Sequence, residues 1–159
     1  MDEIKRLKEV VEKLRSEDGC PWDRAQTHAS LKPECIEEAA EVIGGINILE
    51  ETGDPGNLRE ELGDLLLQVM FHAVIAQEEG LFTFDDVAKE AADKMVRRHP
   101  HVFTDAGIPP IGEHGEGWEE IKKAEKQGKE WHAQYLPGAF CEAQELILKA
   151  MDRKGIQHS

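Results

Sequence analysis

The chain has 159 residues, 40% hydrophobic and 33% charged, with a formal charge of −14. That is enough for one domain with its own core, and the composition is that of a globular, helix-rich protein. The acidic balance argues against a nucleic-acid groove, which needs a basic footprint. No apolar run approaches the length of a membrane span and no signal peptide is read at the N-terminus, so a cytoplasmic protein is expected.

Helical periodicity dominates and strand alternation is nearly absent. Residues 3–17 place Ile4, Leu7, Val10, Val11 and Leu14 on one stripe, which predicts an amphipathic first helix. Residues 18–29, with Asp-Gly and Cys-Pro steps, predict a loop. Ser30 is the expected cap of a second helix running to about Glu50, with Pro33 tolerated in its first turn. The apolar positions of this helix cover much of its circumference, which predicts burial on several sides, part of it in a dimer interface. Gly44 and Gly45 sit inside it at about 1 kcal/mol each relative to alanine. Close approach of a neighbour or a local break would account for them.

Asp54-Pro55 is a helix start, with Asp as N-cap and Pro at the first helical position. The third helix should run to about Glu79, with Leu58, Leu62, Leu65, Leu66, Val69 and Ala73 as its core stripe. Glu61, Asp64, Gln68 and His72 fall on another face within an arc of about 80°. Thr83 as cap, Asp86 as its capping-box partner, and Phe82 with Val87 as a staple start a fourth helix. It should end near Arg98, before Pro100, and residues 99–115 read as a long loop. A charged helix over 117–131 and a last helix over 139–152 complete the chain. Cys20, Cys35 and Cys141 are an odd count at no metal-like spacing, and read as free thiols of a reducing compartment.

The segment from Glu34 to Asp64 concentrates acid. Glu38-x-x-Glu41 and Glu61-x-x-Asp64 each place two carboxylates on one helix face. If the second and third helices are antiparallel about the turn near residues 51–55, Asp64 lies level with residue 42, beside Glu41. Glu61 and Glu38 then lie about 4–5 Å to either side. Four carboxylates so placed repel one another unless a cation neutralises them. Hard oxygen ligands of this kind suit Mg²⁺, with Mn²⁺ as substitute. Spacing alone leaves two points open: acidic runs are often solvated faces, and Glu34 shares one line with Glu38 and Glu41. A di-iron bundle would want Glu-x-x-His pairs, and none of the seven histidines has an acid three residues before it.

Five stretches occur in order: CPWD (Cys20–Asp23), EEAAEV (Glu37–Val42), REELGDLLLQVMFHAVIAQEEGLF (Arg59–Phe82), KMVRRHPHVF (Lys94–Phe103) and GWEEIK (Gly117–Lys122). Together they resemble the MazG nucleoside triphosphate pyrophosphohydrolases, from near residue 5 to about 155. The resemblance implies an all-α, MazG-like antiparallel helical bundle completed by dimerisation, as a homodimer or a dimer of dimers. It implies Glu38, Glu41, Glu61 and Asp64 as Mg²⁺ ligands. It also implies hydrolysis of NTPs or dNTPs between the α- and β-phosphates, giving NMP and pyrophosphate, with house-cleaning of non-standard nucleotides as one purpose. Many members carry two such domains in tandem. Here 1–159 reads as a single one, with 132–159 a C-terminal extension that resembles the connecting segment of the longer forms.

Within that frame Glu38 or Glu41 is the expected catalytic base, accepting the proton of the attacking water. Lys94, Arg97 and Arg98 are a local basic cluster expected to bind the triphosphate; complementing a helix C-terminus is their plainer role. Trp118 either stacks on a base or packs in a core, and Lys122 either reaches a phosphate or is solvated. His99 and His101 suit a structural cap or loop role at least as well as catalysis. Gln68 and His72 are expected to hydrogen-bond the metal-ligating carboxylates. A non-catalytic dimeric helical module with an acidic face that binds a partner is the alternative reading.

Overall fold

A computed structural model describes residues 2–104 and 118–157. No strand occurs among them, and the all-α expectation holds. The helices are α1 (Glu3–Arg15), α2 (Pro21–Arg24), α3 (Lys32–Thr52), α4 (Gly56–Glu78), α5 (Phe84–Arg98), α6 (Pro100–Phe103), α7 (Trp118–Glu125) and α8 (Leu136–Lys154), with a 3₁₀ turn at Glu130–Tyr135. No helix among the described residues is long and apolar enough to cross a membrane. The chain divides into two compact units, one of residues 1–84 with 140–159 and one of residues 85–139.

In the first unit α3 and α4 pack side by side and α1 lies on α4. The α3–α4 pair is antiparallel, because contacts run in opposite directions: Gly45 meets Leu58 near the turn and Cys35 meets His72 far from it. At Gly45 the two backbones come into close approach. A Cβ there would lie 2.8 Å from Leu58 Cα, whereas one on Gly44 would meet nothing within 4 Å. Close approach is thus the reason for Gly45, and α3 runs through both glycines unbroken.

The core is built from Val11, Leu31, Met70, Phe71, Val74 and Ile75, with Leu7, Leu14, Leu67 and Phe84 packed against it. It lies along the C-terminal half of α4. Arg15 holds α1 there: its guanidinium bonds both carboxylate oxygens of Glu78 at 3.0 and 2.7 Å and the Asp23 and Gln26 carbonyls at 2.7 and 3.0 Å. The N-terminal half of α4, which carries Glu61 and Asp64, is outside this core.

Several expectations are corrected. The 18–29 loop contains α2, because Pro21 at a first helical position is compatible with a turn of helix. Ser30 does not cap α3; its hydroxyl bonds Gln26 and Thr27, and the helix starts at Lys32 with no side-chain cap. Asp54 accepts from the Gly56 N–H at 2.8 Å, so it serves the α4 terminus as expected, although Pro55 occupies the N-cap position. The predicted core stripe of the third helix is only partly the core: Ala73 is buried and Leu58, Leu65 and Leu66 are half-buried, but two members are not. Leu62 is 49% exposed and Val69 38%, while Gln68, Met70, Phe71, Val74 and Ile75 are buried. Likewise α3 is not buried on several sides within one chain, since Ile43 is 61% exposed and Ile46 39%. Periodicity shows which residues share a face, not which of several apolar faces a neighbour covers.

In the second unit Pro100 starts α6 rather than opening a loop. The rest of that predicted loop, residues 105–115, lies outside the described residues. The charged helix stops at Glu125 and does not reach 131, because Gly128 takes a left-handed φ of +80° that an α-helix cannot continue through. The last helix begins at Leu136, three residues before the expected start.

Candidate acidic metal centre

The α3–α4 pair sets the register of the acids. Glu38 on α3 meets Glu61 and Asp64 on α4, each offering one carboxylate oxygen within 4.8 Å of the other two. All three residues are partly buried. Asn57, one turn before Glu61, donates to its Oε1 at 2.8 Å. Glu38 Oε2 is buried with no hydrogen-bond partner. Burial, then the charges of Asp64, Glu61 and Glu37, push the Glu38 carboxyl above its ordinary range, with Lys154 opposing. A buried, unpartnered carboxylate oxygen facing two more acids is the donor set a hard divalent cation fits, and without one the charges repel.

Glu41 stands apart from this group. Its carboxylate is ion-paired with the Lys154 ammonium, and the neighbouring Glu37 pairs with both Lys154, at 2.9 Å, and Arg153. These cations hold the Glu37 carboxyl below its usual range. Between α3 and α8 lies a cavity of about 260 Å³, lined by Glu37, Glu41, Gly44, Ala150, Met151 and Lys154 among others. Of the four acids singled out, the structure therefore brings three together and places the fourth one turn away against α8.

Gln68 and His72 do not support the cluster as expected. Gln68 is buried at 8% exposure and its Oε1 has no hydrogen-bond partner. His72 pairs instead with His28 through their Nδ1 atoms at 2.7 Å, and its Nε2 lies 3.2 Å from Cys35 Sγ. Burial and the neighbouring His28 lower the His72 pKa. Burial and the charges of Glu34 and Glu38 raise that of Cys35. The polar stripe on α4 thus serves two neighbourhoods: acids toward its N-terminus, an imidazole pair farther on.

The basic residues belong to the second unit. Arg98 donates to Glu125 Oε2 through Nε and Nη2 at 2.9 and 2.6 Å, and its guanidinium lies 5.0 Å over the Trp118 ring. His99 also packs on Trp118, with ring centroids 5.5 Å apart. Arg97 lies 3.8 Å from Glu125, whose carboxyl is held low chiefly by Arg98, with Arg97 and Lys94 contributing. Lys122 is one turn after Trp118 on α7. Arg98 and Trp118 are therefore in contact with each other, and Trp118 is partly buried.

Spacing did not reveal Asn57, Arg153 or Lys154. Asn57 carried a readable signal, four residues before Glu61 on the same face. Arg153 and Lys154 carried only the general one of cations at a helix C-terminus.

Comparison with known proteins places these residues in context. The MazG nucleotide pyrophosphohydrolase domain matches residues 26–103. A protein of Thermotoga maritima named nucleoside triphosphate pyrophosphohydrolase/pyrophosphatase MazG is 50% identical over 126 residues, covering 79% of this chain and 46% of that protein. The Escherichia coli nucleoside triphosphate pyrophosphohydrolase is 45% identical over 134 residues, 84% of this chain and 49% of its own. The uncharacterised YabN of Bacillus subtilis is 48% identical over 128 residues, 80% of this chain and 25% of its own. The chain thus spans about half or less of the length of these curated relatives. The matched segment carries Glu38, Glu41, Glu61 and Asp64 as well as Lys94, Arg97 and Arg98, and through it the chain belongs to the MazG nucleotide pyrophosphohydrolase family.

Proposed function

We propose that this protein hydrolyses nucleoside triphosphates, ribo or deoxy, at the α–β bond to give a nucleoside monophosphate and pyrophosphate. The observation that carries the reading is the buried, unpartnered Glu38 oxygen gathered with Glu61 and Asp64 inside a MazG-family segment. Glu38, Glu61 and Asp64 would hold Mg²⁺, with Mn²⁺ as substitute, and Glu41 is the fourth ligand in reach of the same helix face. A bound divalent cation neutralises phosphate charge and lowers the pKa of water.

The chain's own groups do the rest. Glu41 or Glu38 accepts the proton that the attacking water gives up. The water oxygen then bonds to phosphorus as the α–β bridging bond breaks, and pyrophosphate leaves. Lys94, Arg97 and Arg98 are the cations offered to the triphosphate, with Arg98 the most firmly held, by Glu125 and Trp118. Lys122 joins them, and Trp118 presents a ring to a base. Residues 1–159 are read as one MazG-like domain, with 132–159 as its C-terminal extension. Exposed Ile43 and Leu62 on the acid-bearing helices support a homodimer or dimer of dimers, which light scattering on the purified protein checks. The three free thiols suit a cytoplasmic setting.

The test is Mg²⁺-dependent release of pyrophosphate from a panel of normal and non-standard NTPs and dNTPs. Glu41→Gln and Asp64→Asn should each abolish it while leaving the helical circular dichroism intact. Release of orthophosphate would move the cleavage to the β–γ bond and overturn the proposal. The absence of any turnover would favour a non-catalytic helical module.

A further inference from the structure

Glu41 stands at the border of two faces of α3. Glu37 is four residues before it and about 40° away around the helix; Glu38 is three residues before it and about 60° away in the other direction. On the Glu37 side α8 presents Arg153 and Lys154, and on the Glu38 side α4 presents Glu61 and Asp64. The carboxylate lies on the α8 side, paired with Lys154, while Glu38, Glu61 and Asp64 gather without it.

The charges sort accordingly. Arg153 and Lys154 balance Glu37 and Glu41, and the three remaining acids have no cation among the described side chains within salt-bridge distance. Neither member of the Lys154–Glu41 pair is buried, at 40% and 34% side-chain exposure. The carboxylate can therefore change partners by a side-chain rotation, with no helix displaced. Lys154 would keep Glu37 as a partner, and Arg153 would keep α8 attached through the same residue.

We propose that Lys154 is a built-in counter-cation that competes with the divalent ion for Glu41, so that the C-terminal end of α8 sets how much cation the site requires. Lys154 is then a positioning residue: it acts on the ion only through the carboxylate it holds. This rests on reading Glu38, Glu61 and Asp64 as the cation site. A lysine that merely anchored α8, or complemented its helix dipole, would leave ion affinity alone.

The experiment is Mn²⁺ titration of the full chain, reading the free-ion signal by electron paramagnetic resonance with no nucleotide present. Lys154→Met should tighten Mn²⁺ binding by roughly five-fold, the scale of one partly exposed ion pair. Lys154→Arg should stay close to wild type, and Arg153→Met, which frees only Glu37, should change affinity little. With Glu41→Gln in the background, Lys154→Met should have no further effect. Melting curves confirm that each variant is folded, and Lys154→Gln replaces Lys154→Met if the methionine unfolds the end of α8. Equal affinity in Lys154→Met and wild type overturns the proposal while leaving the cation site standing. So does an equal gain from Arg153→Met, which would mark a general charge effect. So does unchanged Mn²⁺ affinity with a raised KM, which would make Lys154 a nucleotide contact. No Mn²⁺ binding in any variant at millimolar concentration would remove the cation site itself and the proposal with it.

Discussion

Replacing Glu38 by glutamine should stabilise the cation-free protein and at the same time make it insensitive to Mg²⁺. Its carboxylate oxygen lies within 4.8 Å of one on Glu61 and one on Asp64. Two unit charges at that separation repel by about 0.9 kcal/mol in a water-like dielectric and about 3.5 kcal/mol at an effective value of 20. The residues are partly exposed while the Glu38 oxygen is buried, so the repulsion lies between these figures, and rotation of the acids relieves much of it. About 1 kcal/mol of stabilisation is expected, and about 2–4 °C in melting temperature for a chain of this size. The new amide N–H₂ can also donate to Glu61 or Asp64, where the native oxygen has no partner.

Added Mg²⁺ should reverse the order. Wild type gains about 1.4 kcal/mol at tenfold excess over the dissociation constant, and the variant loses most of that gain. The pH dependence has a defined sign. The Glu38 pKa is raised on folding, so its ionisation costs stability in full above that folded value, and the cost fades as pH falls through it to the ordinary carboxyl value. The advantage of Glu38→Gln without cation should therefore shrink as pH falls toward the raised carboxyl. Melting curves by circular dichroism, in chelator and across a Mg²⁺ titration, read all of this. A variant less stable than wild type in chelator, or one with an unchanged Mg²⁺ shift, refutes the reasoning.

Four further outcomes follow from the packing. Gly44→Ala should raise stability by about 1 kcal/mol, because the added methyl meets nothing and alanine favours helix. Gly45→Ala should instead cost about 1–3 kcal/mol, since the methyl meets the Leu58 backbone and α3 must part from α4; denaturation midpoints that move together would count against this register. Arg15→Met should cost about 2–3 kcal/mol in urea unfolding, because it leaves the Asp23 and Gln26 carbonyls without their donor and ends the Glu78 pair. The folded His72 pKa lies below the ordinary 6.5, so the stability this group contributes is complete above that value and is lost as pH falls below it. The loss should be smaller in His72→Gln, and superimposable melting temperatures between pH 7 and 5.5 would rule the imidazole pair out as its source.

Much of the site was legible in local spacing. The i, i+3 acid pairs, the turn at Asp54-Pro55 and the helical period sufficed to bring the four acids to one stretch of the helix pair, with Asp64 beside Glu41, because each depends on residues near one another in the chain; that Asp64 gathers with Glu38 instead is seen only in the structure. The start of α5 and the role of Asp54 were readable for the same reason. The resemblance then chose Glu38 over Glu34, which share one line on the helix.

What local spacing left open was decided by contacts between distant parts of the chain. Whether Glu41 faces α4 or α8 depends on Lys154, brought alongside by the packing of the last helix. Whether His72 serves the acids or an imidazole depends on His28, in the turn after α2. Which half of α4 is core depends on where α1 lies, so Leu62 and Val69 looked as apolar as Met70 and Val74 yet are exposed. A helical period gives each side chain a direction around its own axis. The neighbour that meets it in that direction is set by the assembly of the helices, and that neighbour decides whether a carboxylate is a cation ligand or one half of an ion pair.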